Sequence, residues 1–276
     1  MGLFVHPDTQ YSLDVILRDT PHAVIFTGKP GVGLATIAAD FAKQSAGVTY
    51  TVLPEKDEKV DVEKGTITVQ SIRRLYDLTR TIEPNGRVII IDYAERMAAP
   101  AQNAFLKLLE EPVDGTRFIL LTHQPELLLP TIISRSQQLA VKPVSQEESI
   151  RFLDNLKVED TTKRAQLLFI ASGLPAELHR LASDNAYFTQ RAAIVKDARQ
   201  FVTGTPYDRL LIANRYKNDR PGALVLLSDA AKMLQKSLAD GGAEATLRAL
   251  GRVESVHKRI TEQGNIRLQL SSALLL

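Results

Sequence analysis

The chain has 276 residues, of which 44% are hydrophobic and 24% charged, a composition typical of a globular protein with about two domains. Its formal net charge of +2 is too small to indicate nucleic-acid binding, so any DNA contact must be local. The lack of cysteine excludes disulfides, cysteine zinc sites and thiol catalysis, and no apolar run approaches the ~20 residues of a membrane span.

In chain order, the first half alternates apolar strand patterns with helical patterns. The predicted strands are AVIFTG, VTYTVL, the start of TITVQSIRRLYDLTRTI, NGRVIIID, TRFILLT and the end of LPTIISRSQQLAV. The predicted helices are LATIAADFAKQSA, a segment with Ser71 as N-cap, PAQNAFLKLLEEP and a short one in LPTIISRSQ, and PEKDEKVDVEKG is a charged loop. Continuous apolar strands separated by helices indicate a parallel sheet covered on both faces, an α/β fold.

From Ser145 to the end of the chain, only helical patterns occur. Ser145 and Glu148 form a predicted capping box where this region begins. Longer amphipathic runs follow in GALVLLSDAAKMLQKSLAD and ATLRALGRVESVHKRITEQG. We therefore predict an α/β domain at 1–144 and two all-α domains, at 145–190 and 191–276.

A glycine-rich loop follows the first strand, in VIFTGKPGVGLAT. The pattern G-x-x-x-x-G-K-[ST], whose backbone amides hold phosphates, fits from Gly28 through Gly31 to Gly33. The lysine position then holds Leu34, and the position of the magnesium-binding hydroxyl holds Ala35. The loop pattern is therefore present without its two chemically active side chains.

Lys29 and Thr36 are the polar side chains nearest to the two lost positions. Thr36 comes one residue too late, which turns it about 100° round a helix from the required direction. Lys29 is the only nearby cation. A divergent ATPase that uses Lys29 is therefore an alternative hypothesis.

Asp92 ends the strand VIIID, where many ATPases place a metal-binding aspartate. The next residue is Tyr93 instead of the glutamate that polarises water, and Glu95, three positions on, is expected to point elsewhere. Because the carboxyl ends of parallel strands meet at one edge of a sheet, we expect Asp92, Thr122 and the glycine loop to line one crevice.

Two longer motifs, DYAERMAAPAQNAFLKLLEEP and FILLTHQPELLLPTIISRSQ, carry a specific resemblance. Together with the loop, they resemble the AAA+ clamp-loader family over about residues 20–143, and the similarity continues in SGLPAELHRLA and NIRLQLSSALLL. The resemblance implies an AAA+ nucleotide-binding-like module at 1–144, a lid at 145–190 and an oligomerisation collar at 191–276.

The resemblance also implies roles for single residues. SRSQ resembles the family's Ser-Arg-Cys motif, so Arg135 would be an arginine finger that reaches the ATP site of a neighbouring subunit, with Ser136 in place of the cysteine. Thr122 falls at the sensor-one position, whereas GLPAEL lacks the sensor-two arginine because Arg180 comes later. The degenerate nucleotide site would comprise Gly28, Lys29, Gly31, Gly33, Thr36, Asp92 and Thr122.

These losses predict a subunit without ATPase activity of its own, with no bound cofactor or metal and with ATP held by its neighbours. The resemblance implies gamma/tau-type ATPase subunits and a delta subunit as partners, and a sliding clamp and primer–template DNA reached through the complex. The four-cysteine zinc module of related bacterial subunits is absent, and the chain is short for the family.

Arg73, Arg74 and Arg80 in SIRRLYDLTR are candidates for contacts with the DNA backbone, and a solvated helix face is the alternative. For the whole chain, a DNA-binding adaptor outside the replisome is a further alternative. The opening residues MGLFVHPDTQ do not resemble a signal peptide, so we expect a cytoplasmic protein without membrane contact.

Overall fold

The structure is a computed structural model that describes residues 4–45, 47–81 and 83–273. The chain forms two compact units. The first contains the residues up to Arg164 together with Ala171–His179, and the second contains Ala165–Ile170 together with the residues from Arg180 onward. The division into domains at 1–144, 145–190 and 191–276 stays a prediction.

A five-stranded parallel sheet forms the centre of the first unit. The strands of this unit are β1 (Ala23–Thr27), β2 (Val48–Val52), β3 (Glu55–Lys56), β4 (Lys59–Val60), β5 (Arg87–Ile91), β6 (Thr116–Thr122) and β7 (Gln137–Ala140). Neighbours in the sheet follow the order β2-β5-β6-β1-β7, while β3 and β4 form a separate antiparallel hairpin. Every pairing within the sheet is parallel, which confirms the predicted α/β class.

Helices connect the strands and continue after the last one. Those that begin in the first unit are α1 (Pro7–Asp19), α2 (Leu34–Gln44), α3 (Val69–Thr79), α4 (Ala99–Glu110), α5 (Pro130–Ile133), α6 (Gln146–Asn155), α7 (Thr161–Ala171) and α8 (Pro175–Ser183). The capping box of Ser145 and Glu148 is confirmed at the start of α6. Ser71 as N-cap is wrong, because Thr68 caps α3 and its hydroxyl accepts a hydrogen bond from the backbone N–H of Ser71.

The strands β1, β5 and β6 bury side chains on both faces of the sheet. Along β1, Ala23 and Ile25 lie in one hydrophobic core, while Val24 and Phe26 lie in another. Residues of α3 and α4 complete the first core, and residues of α1 and α2 complete the second. Two covered faces explain why the strand sequences are continuously apolar instead of alternating.

The second unit is all-α among the described residues. The helices that begin in it are α9 (Asn185–Thr203), α10 (Pro206–Arg215), α11 (Arg220–Ala239), α12 (Glu244–Thr261) and α13 (Ile266–Ser272). They share one core, and an ion pair of 3.1 Å joins the largely buried side chains of Arg191 and Asp229. Within the described part of the chain, no helix is long and apolar enough to cross a membrane.

Arg87 is a charged residue in the interior, at the start of β5. Its side chain is 1% exposed. The guanidinium donates hydrogen bonds to the backbone carbonyls of Leu78 and Thr81, and at 3.2 Å to the Thr81 hydroxyl. Because the last carbonyls of a helix have no partner within it, Arg87 satisfies the C-terminal end of α3.

We expect Arg87→Met to lower the free energy of unfolding by about 1.5–3 kcal/mol, because charge-assisted hydrogen bonds to buried carbonyls are lost. The control Arg80→Met removes a side chain that is 80% exposed, and it should change the free energy by less than ~0.5 kcal/mol. Urea titrations followed by circular dichroism measure both changes, since the chain has no tryptophan. Equal losses in the two variants would contradict this role of Arg87.

Candidate functional site

The glycine-rich loop joins β1 to α2 through a backbone that favours glycine. Gly31 has a φ of +87° and Gly33, the N-cap of α2, has a φ of +98°, both in the left-handed region. A Cβ atom on Gly28 would lie 2.9 Å from Cγ1 of Val32. The glycines are therefore required by the tight strand-to-helix turn itself.

The two positions after the loop supply neither an amine nor a hydroxyl. Leu34 is 5% exposed and packs in the core with Val32 and Ile37. Ala35 and Thr36 are exposed on the first turn of α2, and Lys29 is exposed within the loop. The side chains present therefore do not match the lysine and hydroxyl of a magnesium–nucleotide site.

Helix α8 packs directly on the loop. The carbonyl of Gly31 accepts hydrogen bonds from the backbone N–H groups of Ala176 at 3.0 Å and Glu177 at 3.1 Å. A Cβ atom on Gly31 would lie 3.0 Å from Cβ of Glu177. Since the first N–H groups of a helix need partners outside it, the loop satisfies the start of α8. Arg180, further along α8, stacks on the ring of Tyr187.

A groove of about 690 Å³ runs beside the loop and the first turns of α2. The rings of Phe4 and Phe152 contribute to its wall, with centroids 4.8 Å apart. Its polar lining includes Thr36, Asp40 and Lys43. The groove gives access to the loop, but Leu34, at the lysine position, is not among its lining residues.

Asp92 lies directly after β5, at the carboxyl edge of the sheet. Its Oδ1 accepts a hydrogen bond of 2.9 Å from the backbone N–H of Tyr93. Burial raises the pKa of the Asp92 carboxyl above its usual value, and the hydrogen bond from Tyr93 partly opposes that shift. Tyr93 itself has a φ of +55°, so the chain turns sharply here.

His123, which belongs to no sequence motif for a nucleotide site, connects β6 to the glycine loop. Its Nδ1 lies 2.7 Å from the carbonyl oxygen of Gly28, so Nδ1 carries the proton and donates. Thr122 is 1% exposed, and its hydroxyl accepts a hydrogen bond of 3.1 Å from the backbone N–H of Gln124. The two residues at the end of β6 therefore make different contacts: His123 bonds to the glycine loop, and Thr122 bonds to Gln124.

Glu95 points towards these strand ends, contrary to the expectation that it would point elsewhere. Its Oε1 lies 3.5 Å from the backbone nitrogen of His123. Its Oε2 is buried without a hydrogen-bond partner among the described residues. The edge of the sheet thus brings Asp92, Glu95 and His123 together beside Gly28.

Gln102 lies on the buried face of α4 and ties two loops together. Its Nε2 donates to the carbonyls of Met97 and Leu127, each at 3.1 Å. Its Oε1 accepts from the backbone N–H of Leu129 at 2.7 Å. The segment from Leu127 to Leu129 leads into α5, so Gln102 links the chain after β5 to the helix that precedes Arg135.

Arg135 lies just after α5, and 39% of its side chain is exposed. Nη2 forms an ion pair of 3.0 Å with Oε1 of Glu110, at the end of α4. Nη1 donates at 3.2 Å to the carbonyl of Thr131. The hydroxyl of Ser136 donates to the carbonyl of Ile132, so it holds the backbone beside Arg135.

The three arginines that are candidates for DNA contact differ in their surroundings, and Arg80 lies just after the end of α3. Arg74 pairs with Glu55 at 2.6 Å and Arg80 with Asp77 at 3.3 Å. Arg73 is exposed. Among the described residues, no group of three or more histidine, aspartate or glutamate side chains is placed to hold a metal ion.

The fold is similar to a solved structure of a DNA polymerase III gamma-subunit-related protein from Thermotoga maritima. The TM-score is 0.55 at 18% identity, with 97% of each chain covered. Residues 14–145 match the family model described as DNA polymerase III, delta subunit. The family similarity thus covers just under half of the chain, and the fold similarity covers almost all of it.

The chain is also similar to the delta-prime subunit of bacterial DNA polymerase III. It is 31% identical over 208 residues to delta-prime of Pseudomonas aeruginosa, covering 66% of this chain and 61% of the relative. It is 30% identical over 196 residues to delta-prime of Bacillus subtilis, covering 63% and 58%. The chain thus spans about three fifths of the length of these relatives.

We expect Gln102→Ala to lower the free energy of unfolding by about 2–3 kcal/mol, because it leaves buried backbone groups near Met97, Leu127 and Leu129 unpaired. Hydrogen exchange of the backbone amides from 127 to 135 should also become faster. The matched control is Asn103→Ala, which alters the exposed neighbour on the same helix and should leave exchange unchanged. Unchanged exchange in the Gln102 variant would show that this side chain does not hold the segment before Arg135.

Proposed function

We propose that the chain is a non-hydrolysing, delta-prime-like subunit of a replicative clamp loader that supplies Arg135 in trans to a neighbouring ATPase subunit. One contrast carries the proposal. At the lysine position of its own loop, Leu34 is 5% exposed within the core, whereas 39% of the Arg135 side chain is exposed. The lysine position of the chain's own loop therefore has no cation for a nucleotide, whereas the cation Arg135 is exposed on the surface.

The contacts around the loop support a structural role for it. Gly28 and Gly31 use their carbonyls to hold His123 and the start of α8. Such a loop fixes the turn between β1 and α2 without a ligand. In this proposal the chain is a stator, whose module keeps one arrangement while its ATPase neighbours bind and hydrolyse ATP.

The proposed chemistry of Arg135 is electrostatic. A guanidinium has five N–H donors in a planar fork that fits phosphate oxygens, and it stays protonated. Placed against the phosphates of a neighbour's ATP, it would stabilise the charge that develops during phosphoryl transfer. In other systems, an arginine finger supplied in this way contributes about 10³–10⁵ in rate.

The proposed partners follow from the family. Gamma/tau-type ATPase subunits and a delta subunit would assemble with the chain, and the all-α residues 191–276 would contribute to a collar. The sliding clamp and primer–template DNA would be reached through the complex, in the cytoplasm. Of the three candidate arginines, Arg73 is the best placed for a phosphate contact, because neighbouring carboxylates pair with Arg74 and Arg80.

We expect Arg135→Ala to lower ATP hydrolysis by the complex reconstituted with gamma/tau-type and delta subunits. Hydrolysis at the ATP site that Arg135 serves should fall by about 10³–10⁵. The total rate of the complex should therefore lose at least the part that this site contributes. Arg18→Ala, which removes an exposed arginine on α1, is the matched control and should leave the rate unchanged. A normal rate from a fully assembled Arg135→Ala complex would overturn the proposal.

A further inference from the structure

Both terminal nitrogens of Arg135 are engaged by acceptors of its own chain. Nη2 lies 3.0 Å from the carboxylate of Glu110, and Nη1 lies 3.2 Å from the carbonyl of Thr131. The arginine therefore lies along the surface of α4 and α5, instead of extending freely from it. In the proposed function Arg135 contacts another subunit, whereas here it is held by contacts within its own chain.

The partner of Arg135 is an exposed carboxylate. Glu110 is the last residue of α4, and 49% of its side chain is exposed. Ion pairs of this kind contribute little to stability, because water screens the charges and two long side chains lose rotamer freedom. The pair is therefore weak enough to open when a better acceptor arrives.

The charge of Glu110 conflicts with the proposed task of Arg135. Two hydrogen bonds and the width of a guanidinium place a phosphate on the far edge of Arg135 within about 8 Å of the Glu110 carboxylate. At that distance the phosphate and the Glu110 carboxylate repel each other, because both are negatively charged. The repulsion therefore weakens the pairing of Glu110 with Arg135 once a phosphate is in place.

We propose that Glu110 is a latch: it pairs with Arg135 in the isolated chain, and the pair opens when an ATP-loaded neighbour presents its phosphates. The latch rests on the proposed function of Arg135 and adds a regulator to it. It keeps the charged guanidinium paired with a carboxylate until the interface forms with nucleotide in place. Glu110→Gln should then favour the engaged arginine, since the amide keeps the shape of the side chain but loses the charge.

The test measures binding of the full chain to a gamma/tau-type ATPase subunit loaded with a non-hydrolysable ATP analogue and magnesium. Glu110→Gln should bind about 1.5- to 5-fold more tightly than the natural chain, the range that an exposed ion pair spans. The difference should shrink as salt is raised, because the pair is screened. The double variant Glu110→Gln/Arg135→Ala should bind like Arg135→Ala alone.

Glu111→Gln is the matched control, because it removes the same charge from the exposed adjacent residue. It should change the affinity much less than Glu110→Gln does. If Arg135→Ala weakens binding while Glu110→Gln leaves it unchanged or weakens it, the latch is wrong and the proposed function stands. If Arg135→Ala binds and supports hydrolysis normally, both are wrong. A gain from Glu110→Gln that persists in the Arg135→Ala background would overturn the latch alone.

Discussion

The turn from Gly28 to Gly33 is the constraint on which the site depends. Two of its glycines adopt positive φ values, and its carbonyls hold the ring of His123 and the start of α8. These bonds connect the ends of β1 and β6 to a helix that follows the sheet. A loop that elsewhere positions phosphates is thereby held by protein contacts, and Leu34 adds to the core that supports it.

The same sheet positions the exposed arginine. Gln102 fixes the segment that enters α5, and α5 delivers Arg135 to the surface, where Glu110 meets it. Contacts of the Gln102 side chain thus link Met97, in the segment after β5, to the segment that leads to Arg135. In the proposed function, this arrangement separates two tasks that an ATPase combines: the loop is structural, and Arg135 serves another subunit.

The sequence predicts the elements that depend on local pattern and misses those that depend on distant contacts. Continuous apolar runs identify β1, β5 and β6, because both faces of the sheet are covered. Ser145 identifies the start of α6 through a capping box with Glu148, only three positions away. The contact of His123 with Gly28 joins residues 95 apart, so no window of sequence contains it. Gln102 gives one signal, a polar residue on the buried face of a helix, but not its partners.

Calorimetric titration of the isolated chain with magnesium-ATP tests most directly whether catalysis belongs to a neighbour. If it does, the isolated chain gives no heat of binding up to millimolar nucleotide, while a gamma/tau-type subunit titrated in parallel binds. Binding at one nucleotide per chain that disappears in Lys29→Ala would contradict it, because the loop would then hold phosphates through its exposed lysine.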